Sequence, residues 1–262
     1  MHLWILTISP QIFEGFLSSP LIERGRKRGN FLLDVVDLRD FADGCFRKVD
    51  DSPYGGGAGM ILRCEPVGKA LSSLRDTASS LRVISLTPAG KPYTQADARR
   101  LCREENIALL CGHYEGMDER ISQMVEEEIS IGDYILSGGE IPAMVVADSL
   151  SRLMEGALKE GSLSFESFDE DRLEYPQYTR PAEYEGRRVP EVLLSGDHGR
   201  IEKYRRQQAL LRTLQKRPDL FAKTPLREEE RELLKEALSQ EEWSQLSFVS
   251  RTISADGTGI KE

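Results

Sequence analysis

Three glycine-bearing strings hold the residues best suited to chemistry. The first is Tyr54-Gly55-Gly56-Gly57-Ala58-Gly59-Met60, four glycines in five positions. Glycine lets backbone amides come close to an anion or a planar base. No Gly-Lys-Ser/Thr follows, which excludes a Walker A loop, and Met60 stands where a dinucleotide fingerprint needs its third glycine. Taken alone, this string reads equally as a flexible surface loop. The second, Cys111-Gly112-His113-Tyr114-Glu115-Gly116-Met117-Asp118-Glu119-Arg120, follows an all-apolar run at 107–111. It therefore begins at a strand's carboxyl end, where open α/β sheets bind ligands. The third, residues 130–142, crowds Gly132, Asp133, Tyr134, Ile135, Leu136, Gly138 and Gly139 ahead of a helix. Backbone donors and acceptors beside an apolar wall are what an adenine ring needs. Plainer readings compete: a solvent-facing loop histidine at His113, an acidic helix start at Asp118-Glu119-Arg120, and a simple glycine turn before Ile141.

The elements that must position these strings follow from hydrophobic patterning. Residues 3–8, 31–38, 81–86 and 107–111 are strand candidates, and the last is apolar throughout, as expected of a strand covered on both faces. Helices are expected over 66–75 and 94–105, the latter opening on Thr94 with Gln95-Ala96-Asp97 as a capped first turn. This alternation predicts a parallel sheet with helices on its faces. A further helix over 141–154 carries Pro142 in its first turn. Its wide apolar surface fits either the core or a second subunit. Residues 160–172, with Ser162, Ser164 and Ser167 interleaved with Phe165 and Phe168 and then a run of acids, read as a mobile linker. Helical text at 200–217 and 227–246 predicts a small helical second domain over 173–246, and 247–262 reads as a frayed tail. The first domain is placed at 1–159.

Bulk properties set further bounds. The 262 residues are 39% hydrophobic and 30% charged, with no apolar run near the ~20 residues of a membrane span. The first ten residues lack a basic start and a small-residue cleavage site, so a cytoplasmic location without membrane attachment is expected. Cys45, Cys64, Cys102 and Cys111 form no Cys-x-x-Cys pair and the three histidines lie far apart, so reduced thiols and no metal site are expected. The net charge of −9 argues against a nucleic-acid binder. Basic clusters at 24–28, 187–188 and 200–217 nevertheless offer local phosphate contacts.

Together and in this order, YGGGAGM, CGHYEG-DER and SIGDYILSGGE-PA closely resemble the bacterial tRNA (guanine-N1)-methyltransferase family of the SPOUT superfamily. So do Tyr175-Pro-Gln-Tyr-Thr-Arg-Pro181 and Val189-Pro-Glu-Val-Leu-Leu-Ser-Gly-Asp-His198. The resemblance spans roughly residues 1–246. It implies an α/β fold, a parallel sheet ending in a trefoil knot, plus the small helical domain. It implies S-adenosylmethionine held by Leu86 and Pro88, by Gly112, Tyr114, Glu115 and Gly116, and by Ile131, Gly132, Asp133, Tyr134, Ile135, Leu136, Gly138 and Pro142. It implies an obligate homodimer in which cofactor in one subunit faces the partner's linker and helical domain, with tRNA across both chains. Tyr54, Gly55, Gly56, Gly57, Gly59, Glu174 and His198 match positions on the RNA side. Magnesium is associated with the family, and the sequence shows no cage of oxygen ligands for it.

The reaction so implied is methylation of N1 of guanosine 37 of tRNA, preceded by guanosine 36. Guanine N1 must lose its proton before it can attack, which a carboxylate can assist. Charge then grows toward O6, where an arginine stabilises it. The arginine matching the family is Arg152 and the aligned base is Glu166, where relatives commonly carry aspartate; Asp169 is the rival. Two other readings stay open: a knotted RNA-binding protein with weak or no methyl transfer, and a knotted methyltransferase with another RNA target.

Overall fold

The computed structural model describes residues 1–78, 80–154, 167–168, 171–244 and 246. The chain divides into two compact units, Met1–Lys159 and Glu160–Glu262. The first begins with β1 (His2–Thr7), the short α1 (Glu14–Leu17), α2 (Pro20–Arg28) and β2 (Leu32–Asp37). A two-rung antiparallel ladder, β3 (Asp50–Asp51) with β4 (Ile61–Leu62), flanks the first glycine string. Then come α3 (Cys64–Thr77), β5 (Leu81–Pro92), α4 (Gln95–Leu101), β6 (Asn106–Cys111), β7 (Glu127–Ser130) and α5 (Glu140–Leu153).

Five of these strands form one sheet in the order β2-β1-β6-β5-β7, every pair parallel. Successive side chains of a strand point to opposite faces, and both faces here are dry. Leu3, Ile5, Ile107 and Leu109 join Ala143, Val146 and Leu150 of α5 in one core. Trp4, Leu6, Ala108 and Leu110 join Val67 and Leu71 of α3 in the other. That double burial is why the central strands read as unbroken apolar runs. The edge strand β2 instead carries Asp34 and Asp37, charges that discourage pairing beyond the edge.

The observed bounds differ from the expected ones where a partner overrides the local pattern. The strand expected at 81–86 continues to Pro92, because past a register shift Lys91 and Pro92 pair with β7. Strand β7 itself escaped the hydrophobic pattern: Glu127 and Glu128 look like loop, yet Glu127 is the partner of Arg100 (Nη2 to Oε1 2.5 Å). Helix α4 ends at Leu101, four residues early, since the chain must turn before β6 starts at Asn106. Its start is as expected, a capping box in which Thr94 Oγ1 accepts from the Asp97 amide at 3.3 Å. The basic cluster Arg26-Lys27-Arg28 is the last turn of α2, where cations face the negative end of the helix dipole.

The second unit holds a short hairpin, β8 (Glu183–Tyr184) with β9 (Arg187–Arg188), then α6 (Glu191–Leu194), α7 (His198–Lys216), α8 (Pro218–Phe221) and α9 (Glu228–Ala237). Its core is small, centred on Leu210, Phe221, Leu233 and Leu234. The buried Thr213 hydroxyl accepts from the Leu173 amide at 2.8 Å and donates to Ala209 O at 2.7 Å, tying the segment after the linker to α7. Helix α9 ends at Ala237, nine residues short of the expected end. The expected linker, apart from residues 167–168 and 171–172, and the expected tail lie outside the described residues.

Candidate active site

Beside the register shift of β5 and at the carboxyl ends of β6 and β7, three segments enclose a cavity of about 380 Å³, within the range of cofactor sites. Leu86, Pro88, Gly112, Tyr114, Glu115, Gly116, Ile131, Gly132, Tyr134, Ile135, Leu136, Gly138 and Pro142 all line it. Asp133 is absent from that lining. Thr87, His113, Ser137 and Gly139, which lie within the segments 86–90, 112–116 and 131–142 that the family resemblance points to, line it too. Met117, Ile129 and Ser130 also line it from outside those segments.

Backbone contact closes the cavity at its base. The Gly139 amide donates to Gly112 O at 2.8 Å, so the third string lies directly on the end of β6. A Cβ at Gly139 would sit 2.6 Å from Cys111 Cα and 2.9 Å from Gly112 N, and one at Gly138 would strike Glu140 and His113. A Cβ at Gly132 would be 2.5 Å from the Tyr134 ring. Tyr114 adopts φ +61, a left-handed conformation costing a non-glycine residue roughly 1–2 kcal/mol. Its ring meets the His113 ring edge-on at 4.8 Å. Such conformations concentrate at binding sites, where surroundings over-determine the backbone.

A buried polar chain runs beneath this wall. Thr7 Oγ1 of β1 donates to Glu140 Oε1 at 2.7 Å, and Glu140 Oε2 lies 3.7 Å from His113 Nδ1. Glu140 is buried at the first position of α5, where the positive end of the helix dipole favours a carboxylate. His113 Nδ1 is buried without a hydrogen-bond partner among the described residues, so His113 is not the solvent-facing loop histidine of the plainer reading. Burial, with the Glu140 charge adding to it, raises the Cys111 thiol well above its ordinary value. All four cysteines are free, and this buried one is unreactive.

The first glycine string borders the same cavity. The Glu115 amide donates to Met60 O at 3.1 Å, and the Leu62 amide to Gly116 O at 3.0 Å. A Cβ at Gly59 would fall 2.3 Å from Glu115 Cγ. Gly55, Gly56, Gly57 and Gly59 all have φ between 82 and 140, as a loop built on glycine allows. Tyr54 is fully exposed beside them. Asp118-Glu119-Arg120 opens a short 3₁₀ turn rather than an α-helix, and Arg120 grips Asp118 with two bonds of 2.8 and 2.6 Å. That grip holds the Asp118 carboxyl down at about 2.

The two expected reacting groups stand apart from the cavity. Arg152, half-buried, lies in the last turn of α5. Ten residues separate it from Pro142 at the cavity, roughly 15 Å along the helix. Glu166 and its rival Asp169 fall outside the described residues. Glu174 is in the second unit, its amide donating to Ser167 Oγ at 3.1 Å and its carboxylate accepting from the Gln177 side chain. His198, exposed, opens α7, whose N-terminus is capped by Asp197 accepting from the Arg200 amide at 3.1 Å. Among the described residues no three His, Cys, Asp or Glu side chains converge to hold a metal ion, and no helix is long and apolar enough to cross a membrane.

A glycine-floored cavity at the mouth of a parallel sheet, bordered by a second glycine loop, defines a nucleotide- or cofactor-using α/β enzyme. Residues 1–223 match the family model described as tRNA (Guanine-1)-methyltransferase TrmD, and the chain belongs to that family. It is 49% identical over 243 residues to a tRNA (guanine-N(1)-)-methyltransferase of Pelotomaculum thermopropionicum, covering 91% of this chain and 97% of that protein. An enzyme of the same name from Halalkalibacterium halodurans is 48% identical over 245 residues, 92% and 100% of the two chains. One from Ruminiclostridium cellulolyticum is 50% identical over 224 residues, 84% and 96%.

Proposed function

We propose that this chain methylates N1 of guanosine 37 of tRNA, with S-adenosylmethionine as donor. Membership in the family supports the reaction type; the cavity beside mid-β5 and the ends of β6 and β7 supports the donor site. The residues present fit such a donor. Leu86, Ile129 and Leu136 supply apolar surface for a flat ring, the glycines leave backbone within reach, and the orphaned His113 Nδ1 offers an unused polar group. When bound, the sulfonium supplies an already activated methyl group. The protein therefore has to seat, orient and deprotonate. The loop from Gly55 to Gly59 seats the target nucleotide next to the donor. Glu166 takes the N1 proton, and Arg152 stabilises charge growing on O6. Glu174 and His198 act on the RNA in the second unit.

The length of α5 favours a homodimer. An arginine some 15 Å from the cavity along its own helix does not reach that cavity's contents, whereas a neighbouring copy's arginine can. The same helix presents Ile141 and Val145 to solvent, 51% and 43% exposed, on the face that continues to Asp148 and Arg152. An apolar stripe of this kind on a helix suits a two-fold contact. The crowding of Gly90 on the Ile129 backbone and Gly139 on the Cys111 backbone is what tight passage of one loop by another would need, in keeping with a trefoil knot.

The test is transfer of labelled methyl to an unmodified tRNA transcript with guanosines at 36 and 37. Transfer is expected there and absent when adenosine replaces guanosine 37. Glu166→Gln should abolish turnover while cofactor affinity stays unchanged. Turnover unaffected by that change would move the base to Asp169, and RNA binding without any transfer would sink the reading.

A further inference from the structure

The second unit contains a cavity of about 570 Å³ that the reading above leaves without a role. Its walls come from the two strings of that unit not yet accounted for, residues 175–182 and 189–194, and from one face of α7. The chemistry of that wall is specific. The Arg205 guanidinium lies over the Tyr175 ring, 4.9 Å from its centroid, so two flat groups are already stacked. Tyr178 leaves 49% of its surface in water and Leu194 61%, although the unit's own core is small enough to use both. Arg180 stands on the lining as a further cation. On α7, Lys203 and Arg206 are paired with Glu236 and Glu202, while neither Arg205 nor Arg180 has a carboxylate partner among the described residues. Exposed aromatic faces interleaved with unpaired guanidinium groups are how proteins hold unstacked bases: the ring and the guanidinium plane take the base, and the charge takes the phosphate.

We infer that this cavity seats one unpaired nucleotide of the RNA substrate, its base against Tyr178 and the Tyr175–Arg205 stack and its phosphate at Arg180. The inference rests on the reading that RNA is the substrate. It adds a contact on the second unit, separate from the donor cavity of the first. The β8–β9 hairpin connects the two lining strings, where the Val189 amide donates to Ala182 O at 2.9 Å, and its Arg187 is exposed.

The experiment uses the full chain with the unmodified tRNA transcript. RNA affinity is measured by filter binding, and methyl-transfer kinetics at saturating cofactor. Tyr178→Ala and Arg205→Ala should each weaken RNA binding roughly 5- to 150-fold, the range for loss of one stacked base. The rate at saturating RNA and the affinity for S-adenosylmethionine should stay as in the parent. Tyr178→Phe keeps the ring and should bind almost as well as the parent. Arg205→Lys keeps the charge without the plane and should still lose most of the effect. Arg205 is exposed, so its variants keep the test open even were Tyr178→Ala to unfold. RNA affinity within about twofold of the parent in both alanine variants overturns the proposal, and is also what a protein-binding groove would give. Equal damage from Tyr178→Phe and Tyr178→Ala overturns it as well, because the ring would then not be the contact. Were the parent to bind RNA through this cavity without transferring methyl, the methyl-transfer reading would fall and this one would stand.

Discussion

The two ends of α5 are built for opposite purposes. At the amino end Gly138 and Gly139 lie so close to β6 that a methyl group has no room, and Glu140 is buried under Thr7 and His113. At the carboxyl end Arg152 is half in water, on the face that already exposes Ile141 and Val145. The first end is made of backbone and tolerates almost nothing. The second is a long side chain on a half-exposed turn. Under the proposed function, one rigid helix carries the donor seat and the charge-handling group too far apart to serve a single pocket, and the proposed pairing of two chains would resolve the mismatch.

The largest effect is expected at the crowded end. Gly139→Ala drives a Cβ into the Cys111 backbone, and cofactor affinity measured by calorimetry should fall by a hundredfold or about 2.7 kcal/mol, in the range for overpacking. Affinity within a few-fold of the parent would mean that this end is not the donor seat. The next effect sharpens the contrast. Arg152→Ala should lower turnover by about 10² with cofactor affinity intact. Mixed with Gly139→Ala under subunit exchange, it should recover activity. Random pairing makes about half the dimers mixed, each with one intact site, so roughly a quarter of parent activity returns. No recovery would place cavity and arginine in the same chain. The smallest effect concerns the prop of the far end. Tyr93 Oη and Ser149 Oγ, 2.7 Å apart, join the start of α4 to α5. Thr94→Ala removes the cap of α4 and should cost about 1 kcal/mol of stability by denaturant melting, leaving turnover nearly unchanged.

That prop also sets a direction with pH. Burial raises the Asp97 carboxyl, but bonds from Thr94, Lys91 and Arg100 outweigh it, and the net shift is downward. A carboxyl lowered by folding contributes stability above its unfolded value, lost as pH falls through the folded one. Acid melting of the parent below about pH 4 should therefore be steeper than that of Asp97→Asn. Identical profiles would remove Asp97 from the account.

Much of this was legible in the residues, unevenly. The central strands announced themselves because both faces are dry, and Thr94 with Asp97 announced a helix start by type and spacing alone. The glycine strings stood out by composition, although each taken alone also had a plainer reading as a surface loop or a turn. What stayed hidden depends on distant partners. Glu127 is a strand residue because its backbone pairs with β5 opposite Ile84, while Arg100 and Arg82 meet its charge. Glu140 looked like one more first-turn acid until Thr7, 133 positions away, supplied its hydroxyl. The cavity of the second unit needs Arg205 to fold back over Tyr175, thirty positions earlier, and no local pattern encodes that. Asp133, inside the most specific string, is the counter-lesson: motif membership did not bring it to the lining.

Glu115 belongs to one of the loops to which the proposal assigns a ligand and touches the other, its amide bonded to Met60 and its side chain against Gly59. Whatever stiffens one loop lowers the entropy left to lose in the other. Occupancy of the two seats is then thermodynamically linked, and the factor by which donor tightens RNA must equal the factor by which RNA tightens donor. A single glutamate stem would make the order of arrival a matter of concentrations and not of a fixed sequence.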